Sequence, residues 1–306
     1  MRGTVSWQVT EIFKEIKYIG ESKHSAKESA RLSGAHGSHE IAEKTGIYGI
    51  TTMDNYRDSV AGFANWAKEN FGLKDLTKTE SKHVISYLES RIKADVAHKT
   101  FQLDKASLNK FETALNAYSK SHNLNRTYNF ALNETFKSEH KSLQHADIRA
   151  YDKGTVDKLL NNIQDKATSL AVRCALSAGL RKSEILKLSE SNLKENNKIE
   201  ILGGKGGKDR VVSMIHDKSL ISDIKAFLKE NSLSKFGDAV SGSKINYEIR
   251  AVLGDSGSIH ALRHNYAIDC INTFEKAGYS RVEAIHATSL ELGHNRNEII
   301  EGVYSK

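Results

Sequence analysis

The sequence predicts an α+β chain that is mostly helical, with an all-α unit followed by a mixed α/β unit that carries a small antiparallel sheet. Three observations lead there. Between residues 52 and 136 apolar side chains recur at intervals of three and four, the spacing of helices that bury one face. Two β-prone runs between residues 198 and 214 flank a glycine-rich tip, which reads as a hairpin. A length of 306 residues exceeds what one core usually organises, so two domains are expected.

In chain order, residues 1–48 read as a polar N-terminal extension. It holds one helical pattern at Val9, Ile12, Phe13 and Ile16, then a stretch rich in Ser, Lys, His and Gly. Such a segment fits a mobile arm, a docking helix or a small DNA-contacting module. Residues 49–140 read as a helical domain. Tyr56, Val60, Phe63, Trp66 and Phe71 mark its first helix, and Val84, Ile85, Leu88 and Ile92 its second. Leu103, Leu108, Phe111, Leu115 and Tyr118 mark the third, and Tyr128, Phe130, Leu132 and Phe136 a fourth or the approach to it. Residues 141–152 are polar and aperiodic and read as the interdomain linker.

The second domain, 153–306, opens with a helix near Gly154 carrying Val156, Leu159, Leu160 and Ile163. The largely apolar helix over Ala167–Leu180 reads as its buried centre. Gly179 permits a tight turn, after which Arg181 or Ser183 starts a new helix with Glu184 in its opening turn. The hairpin follows, with Lys205 and Lys208 at a Gly-rich tip. This is no Walker loop, because no Ser or Thr follows the second Gly-Lys and no helix begins there. Two further helices are marked by Leu220, Ile221, Ile224 and Leu228, and by Ile245, Ile249, Val252 and Leu253.

Composition narrows the function classes only mildly. Lys and Arg number 45 against 38 Asp and Glu, a formal charge of +7. That suits an anionic partner such as nucleic acid, and equally a solvated Lys-rich surface. The two cysteines, Cys174 and Cys270, lie in apolar helical patterns and read as reduced core residues. With no apolar run of the ~18 residues a membrane span needs, and no basic-then-apolar start, a soluble, cytoplasmic protein is expected.

The chemistry concentrates at the C-terminal end. His260-Ala261-Leu262-Arg263-His264 opens a helix, and Leu292-Gly293-His294 precedes Tyr304. No Cys pair or carboxylate cluster joins these histidines, which argues against a zinc site built from His260, His264 and His294. The set suits a phosphodiester instead. A phenol attacks when a base and cations stand near it, and Arg and imidazolium groups stabilise charge building on phosphorus.

Taken together, Gly179–Glu184, Gly204–Lys208, His260–His264, Leu292–His294 and Tyr304 resemble, in order, the five motifs of the tyrosine recombinase family of integrases and Xer-type recombinases. The resemblance covers about 150–304, and the helical unit before it is similar to that family's core-binding domain. It implies that Arg181 and Arg263 grip the non-bridging oxygens of a scissile phosphate, that His294 adds a hydrogen bond, and that His260 serves as base. It implies further that Lys205, with Lys208 in reserve, protonates the departing 5′ oxygen, and that Tyr304 attacks to form a 3′-phosphotyrosyl link. Glu184 is expected to orient its neighbours, and His264 to support the helix.

The family's implied partner is double-stranded DNA, held by a homotetramer on synapsed sites, and no metal or other cofactor is expected. Tyr266 and Tyr279 are rival phenols, but Tyr266 falls within the His-Arg helix and reads as core. Only two residues follow Tyr304, so the segment with which many relatives dock on a neighbouring subunit is expected to be missing or replaced. Two other functions remain in view: a type IB topoisomerase-like nicking and rejoining enzyme, and a DNA-binding protein of the same fold that does not cleave.

Overall fold

Val9, Ile12, Phe13 and Ile16 lie three and four residues apart, so one helix turns all of them to the same side, and that side has to be buried. In the computed structural model, which describes residues 1–138, 143, 150–204, 209–255 and 257–293, they are buried in the core of the first of two units, Met1–Ala146 and Asp147–Lys306.

The first unit contains α1 (Val5–Lys14), α2 (Lys23–Leu32), α3 (Ser38–Glu43), α4 (Ile50–Phe71), α5 (Ser81–Lys93), α6 (His98–Ser121) and α7 (Leu132–Thr135). Helix α1 packs on α4 and α6. Its Phe13 ring lies 6.3 Å from Phe111, which in turn lies 6.2 Å from Phe63. Gln8 ties the helix down further. Its side-chain amide donates to the Lys74 carbonyl (2.9 Å) and accepts from the Leu76 N–H (2.9 Å). Residues 1–48 are therefore not an extension set apart from the helical domain: fully burying apolar side chains is worth about 2 kcal/mol each, and α1 gains that only inside the shared core.

Helices α2 and α3 form an excursion from that core. The chain leaves and re-enters it at one place, where Lys17 and Ile47 make a parallel bridge. There the Tyr18 N–H donates to the Ile47 carbonyl (2.9 Å) and the Ile47 N–H to the Ile16 carbonyl (2.8 Å). Ala30, Ala35 and Ile41 give the excursion a small core of its own. Lys110 of α6, only 8% exposed, donates to the main-chain carbonyls of Ala42 and Thr45 beneath it. Burial lowers its ammonium to about 8.

The stretch around 128–136, expected to be a fourth helix or the approach to one, is the approach: a non-helical strap with the single turn α7 at its end. Side chains of α6 hold it. Asn116 brackets Tyr128, accepting from its N–H (2.8 Å) and donating to its carbonyl (2.9 Å). Glu112 accepts from the Phe130 N–H. With its main-chain groups satisfied from the side, the strap needs no helical bonds of its own.

The second unit contains α8 (Lys153–Asn162), α9 (Lys166–Ala178), α10 (Lys182–Ile185), β1 (Leu193–Lys194), β2 (Lys198–Ile201), β3 (Arg210–Ser213), α11 (Leu220–Glu230), α12 (Gly242–Leu253), α13 (Ile259–Lys276) and α14 (Arg281–Glu291). Helix α9 packs against α13, and its Ala171, Cys174, Ala175 and Ala178 are all buried. The expected hairpin is β2–β3, antiparallel, with Ile199 opposite Val212 and Ile201 opposite Arg210. A short strand, β1, extends it to the order β1-β2-β3. It is joined through Asn196 and Asn197, both in the left-handed conformation (φ +56° and +55°) that a tight hairpin turn asks of its central residues. Among the described residues no helix is long and apolar enough to cross a membrane.

Candidate functional site

Helix α9 ends at Gly179, whose φ of +58° turns the chain so that Arg181 caps the short α10. Glu184, one turn on, closes back on that cap. Its Oε2 accepts from the Arg181 N–H (2.9 Å) and its Oε1 from the Arg181 guanidinium (2.8 Å). The same carboxylate meets Arg210 from β3, which donates to Oε1 (2.9 Å) and Oε2 (2.7 Å). Two donors on each oxygen fill its acceptor capacity. Burial alone would raise the Glu184 carboxyl, but Arg210, the Arg181 N–H and the Arg181 guanidinium together hold it down to about 2. It is thus a fixed anion.

Arg263, on the second turn of α13, is wholly buried. Its guanidinium donates to the Gly179 carbonyl and, at 2.6 Å, to the Leu292 carbonyl. Arg181 donates to that same Leu292 oxygen at 3.4 Å. Leu292 leads into Gly293 at φ +66°, where a Cβ would stand 3.0 Å from Cδ of Arg210. Arg210 itself bonds the Glu291 carbonyl through Nε (2.9 Å). Three stretches far apart in sequence, 179–184, 263 and 291–293, therefore meet around two carbonyl oxygens and one carboxylate. The base of the hairpin joins them through Arg210. Beside Arg181 and Glu184 a cleft of about 510 Å³ opens, lined also by Lys187, Glu200, Gly203 and Gly204.

His260 is exposed on the first turn of α13, and its ring lies edge-on to buried His264 with centroids 5.2 Å apart. The start of α13 is pinned from α8's side of the unit. The Tyr151 hydroxyl donates to the Ser258 carbonyl (3.0 Å) and accepts from the Ser258 N–H (2.6 Å), while Asn265 brackets the Tyr151 main chain (2.9 and 2.6 Å). Tyr266 is core. It is completely buried, its hydroxyl donates to the Ser213 carbonyl (3.0 Å), and burial raises its phenol well above the ordinary value. Cys174 and Cys270 are free and buried, each thiol pushed up to about 12 by burial.

Lys205, Lys208, His294 and Tyr304 lie outside the described residues. Among the described residues no group of three or more His, Cys, Asp or Glu is placed to hold a metal ion. Sequence reasoning missed Arg210 and the pinning pair Tyr151–Asn265. Arg210 had a signal: it shares strand parity with buried Val212, and an Arg on the inward face of a strand requires an acid.

The Glu184 cluster makes stability depend on acid. A carboxyl near 4.5 when unfolded and about 2 when folded contributes on the order of 3 kcal/mol, fully present above the unfolded value and lost as pH falls toward the folded one. Urea unfolding should show Glu184→Gln less stable than the parent at about pH 6, with the gap closing between about pH 5 and 2. A gap independent of pH would contradict the cluster.

No family model matches the chain. It is similar to Tyrosine recombinase XerA of Pyrococcus horikoshii, 30% identical over 177 residues, which are 53% of this chain and 58% of that protein. It is also similar to Tyrosine recombinase XerA of Saccharolobus solfataricus, 25% identical over 182 residues, 53% of this chain and 60% of that one. The chain thus covers about three fifths of the length of both relatives. Among solved structures it resembles the Tn1549 transposon integrase in complex with circular intermediate DNA. The TM-score is 0.56 at 15% identity, covering 99% of this chain and 95% of that one. At that identity the likeness establishes the fold: a mostly helical chain with a small antiparallel sheet.

Proposed function

We propose that this chain is a member of the tyrosine recombinase and integrase family, a site-specific DNA recombinase that cuts and rejoins duplex DNA through a covalent 3′-phosphotyrosyl intermediate. One observation carries the reading. Arg181 and Arg263, from separate elements, donate to a single oxygen, that of Leu292, two residues before His294. An oxygen in reach of two guanidinium forks is what a non-bridging phosphoryl oxygen requires. In the proposed complex a phosphate oxygen exchanges with the Leu292 carbonyl, which turns aside while Arg210 keeps Glu291 in place.

The chemistry then follows. The Tyr304 phenol passes its proton to His260 and its oxygen bonds to phosphorus. The bond from phosphorus to the 5′ oxygen breaks, and Lys205, or Lys208 in its stead, supplies the proton that the leaving oxygen takes up. Arg181, Arg263 and His294 hold the charge on the phosphorane. An unperturbed phenol ionises near pH ~10, so the surrounding cations are needed to favour attack at neutral pH. The phosphotyrosine keeps the backbone linkage available to a second 5′ hydroxyl, so strand exchange needs no ATP. Double-stranded DNA is the proposed substrate, and a homotetramer on synapsed sites the proposed assembly.

A duplex nicked beside the cleavage point traps the intermediate. The parent chain is expected to form a covalent adduct, and Tyr304→Phe to bind the duplex without forming one. Binding should weaken steeply with salt, as release of counterions from several phosphates demands. Relaxation of supercoils without joining of two duplexes would make the protein a topoisomerase-like enzyme. Salt-dependent binding with no adduct from the parent chain would make it a non-cleaving binder.

A further inference from the structure

Arg210 opens β3, directly across from Ile201 at the base of the glycine-rich tip. Its side chain is only 8% exposed. Every nitrogen of its guanidinium has a partner, and the partners lie on two parts of the site: Glu184 takes two and the Glu291 carbonyl takes Nε. A planar fork cannot shift toward one of these without leaving the other. The strand behind the tip, the Arg181 turn and the exit of α14 are thereby tied together through one side chain.

We propose that Arg210 is a positioning residue for the cleavage step, fixing the distance between Arg181 and the turn before His294 and keeping Arg181 positive toward the phosphate. The second part is electrostatic. Glu184 shares one negative charge between two guanidinium groups, which leaves the trio at a net charge of +1. Without Arg210 the carboxylate would neutralise Arg181 and face the phosphate as a like charge. Among the described residues, the charged groups that line the cleft beside Glu184 are Arg181, Lys187 and Glu200. This inference rests on the recombinase reading and deepens it.

The test is single-turnover adduct formation on the nicked duplex by the full chain. R210Q is expected to react about 100-fold more slowly, the scale of loss when a reacting group is misplaced by about an ångström. Its affinity for duplex should change by no more than about threefold, since the guanidinium of Arg210 is taken up by Glu184 and Glu291 and the groups that would meet phosphates are kept. Relative to the parent, R210Q should recover rate as pH falls, because protonation of a Glu184 carboxyl that Arg210 no longer holds down gives Arg181 its charge back, and the double variant E184Q/R210Q should not show that recovery. A merely structural role would leave the pH profile unchanged.

R210Q reacting at the parent rate with the parent pH profile overturns the proposal. Should R210Q lose its cooperative melting transition, R210K replaces it. A point charge lacking the fork is expected to be slower on the order of tenfold, and the parent rate overturns the proposal equally. The two readings separate cleanly. No adduct from the parent chain overturns the recombinase reading together with any cleavage role for Arg210, whereas an adduct at equal rates in parent and R210Q overturns only this inference.

Discussion

Arg263→Ala is expected to destabilise the second unit by about 3–5 kcal/mol and to abolish adduct formation. The residue is wholly buried, and its guanidinium bonds the carbonyls of Gly179 and Leu292. Alanine leaves both acceptors without that donor, at about 1–3 kcal/mol for each group left unsatisfied, and opens a cavity of several methylenes besides. Arg263→Lys should fall between the two, because one ammonium on a flexible stem cannot span the same pair of carbonyls. Urea unfolding monitored by circular dichroism reads the difference. A loss under about 1 kcal/mol for the alanine variant would show that the carbonyls find other donors and that Arg263 does not organise this region.

Gly179→Ala is expected to cost about 2–5 kcal/mol, an unusual amount for one added methyl. Two effects combine. At φ +58° an L side chain meets backbone strain of about 1–2 kcal/mol. The new Cβ would also stand 2.3 Å from the Tyr266 ring, which cannot swing aside without releasing its hydroxyl from the Ser213 carbonyl. Overpacking of that kind adds about 1–3 kcal/mol. Gly72→Ala separates the two effects. It sits at φ +66° at the end of α4, where an added methyl would have nothing within 4 Å, so only the backbone strain applies there. Thermal melts of both variants measure the difference, and equal losses would remove the Tyr266 contact from the account. Since Gly179 also supplies a carbonyl to Arg263, its alanine variant should slow adduct formation even where it remains folded.

What the sequence revealed depended on which kind of bond holds each part. The stripes of α4, α5, α6 and α9 were legible because apolar burial leaves a helical period in the residues themselves. The stripe of α1 was equally legible, but its destination was not, because a period says which face is buried and not against what. The strap over 128–136 stayed undecided between a helix and the approach to one because Asn116 and Glu112 hold it from α6, and bonds from side chain to main chain leave no period. Helix α14 escaped for want of a stripe, although Ser280 and Glu283 form a capping box that marks its start.

The candidate site divides along the same line. Arg181, Glu184, His260 and Arg263 could be picked out as residue types in a recognisable order. That Arg181 and Arg263 meet on the oxygen of Leu292 could not, because a main-chain carbonyl has no signature in the sequence. Arg210 stood between these cases, since its strand parity pointed inward but nothing local named Glu184 as its acid.

The bridge between Lys17 and Ile47 has a consequence for how this chain can vary. Since the backbone departs from and returns to neighbouring points, the span carrying α2 and α3 can change in length without altering the geometry on either side, much as a hairpin tip can. One residue resists that freedom. Lys110 keeps its ammonium beneath the span by bonding Ala42 and Thr45, so a shorter version of this segment calls for an uncharged side chain at position 110 in the same step.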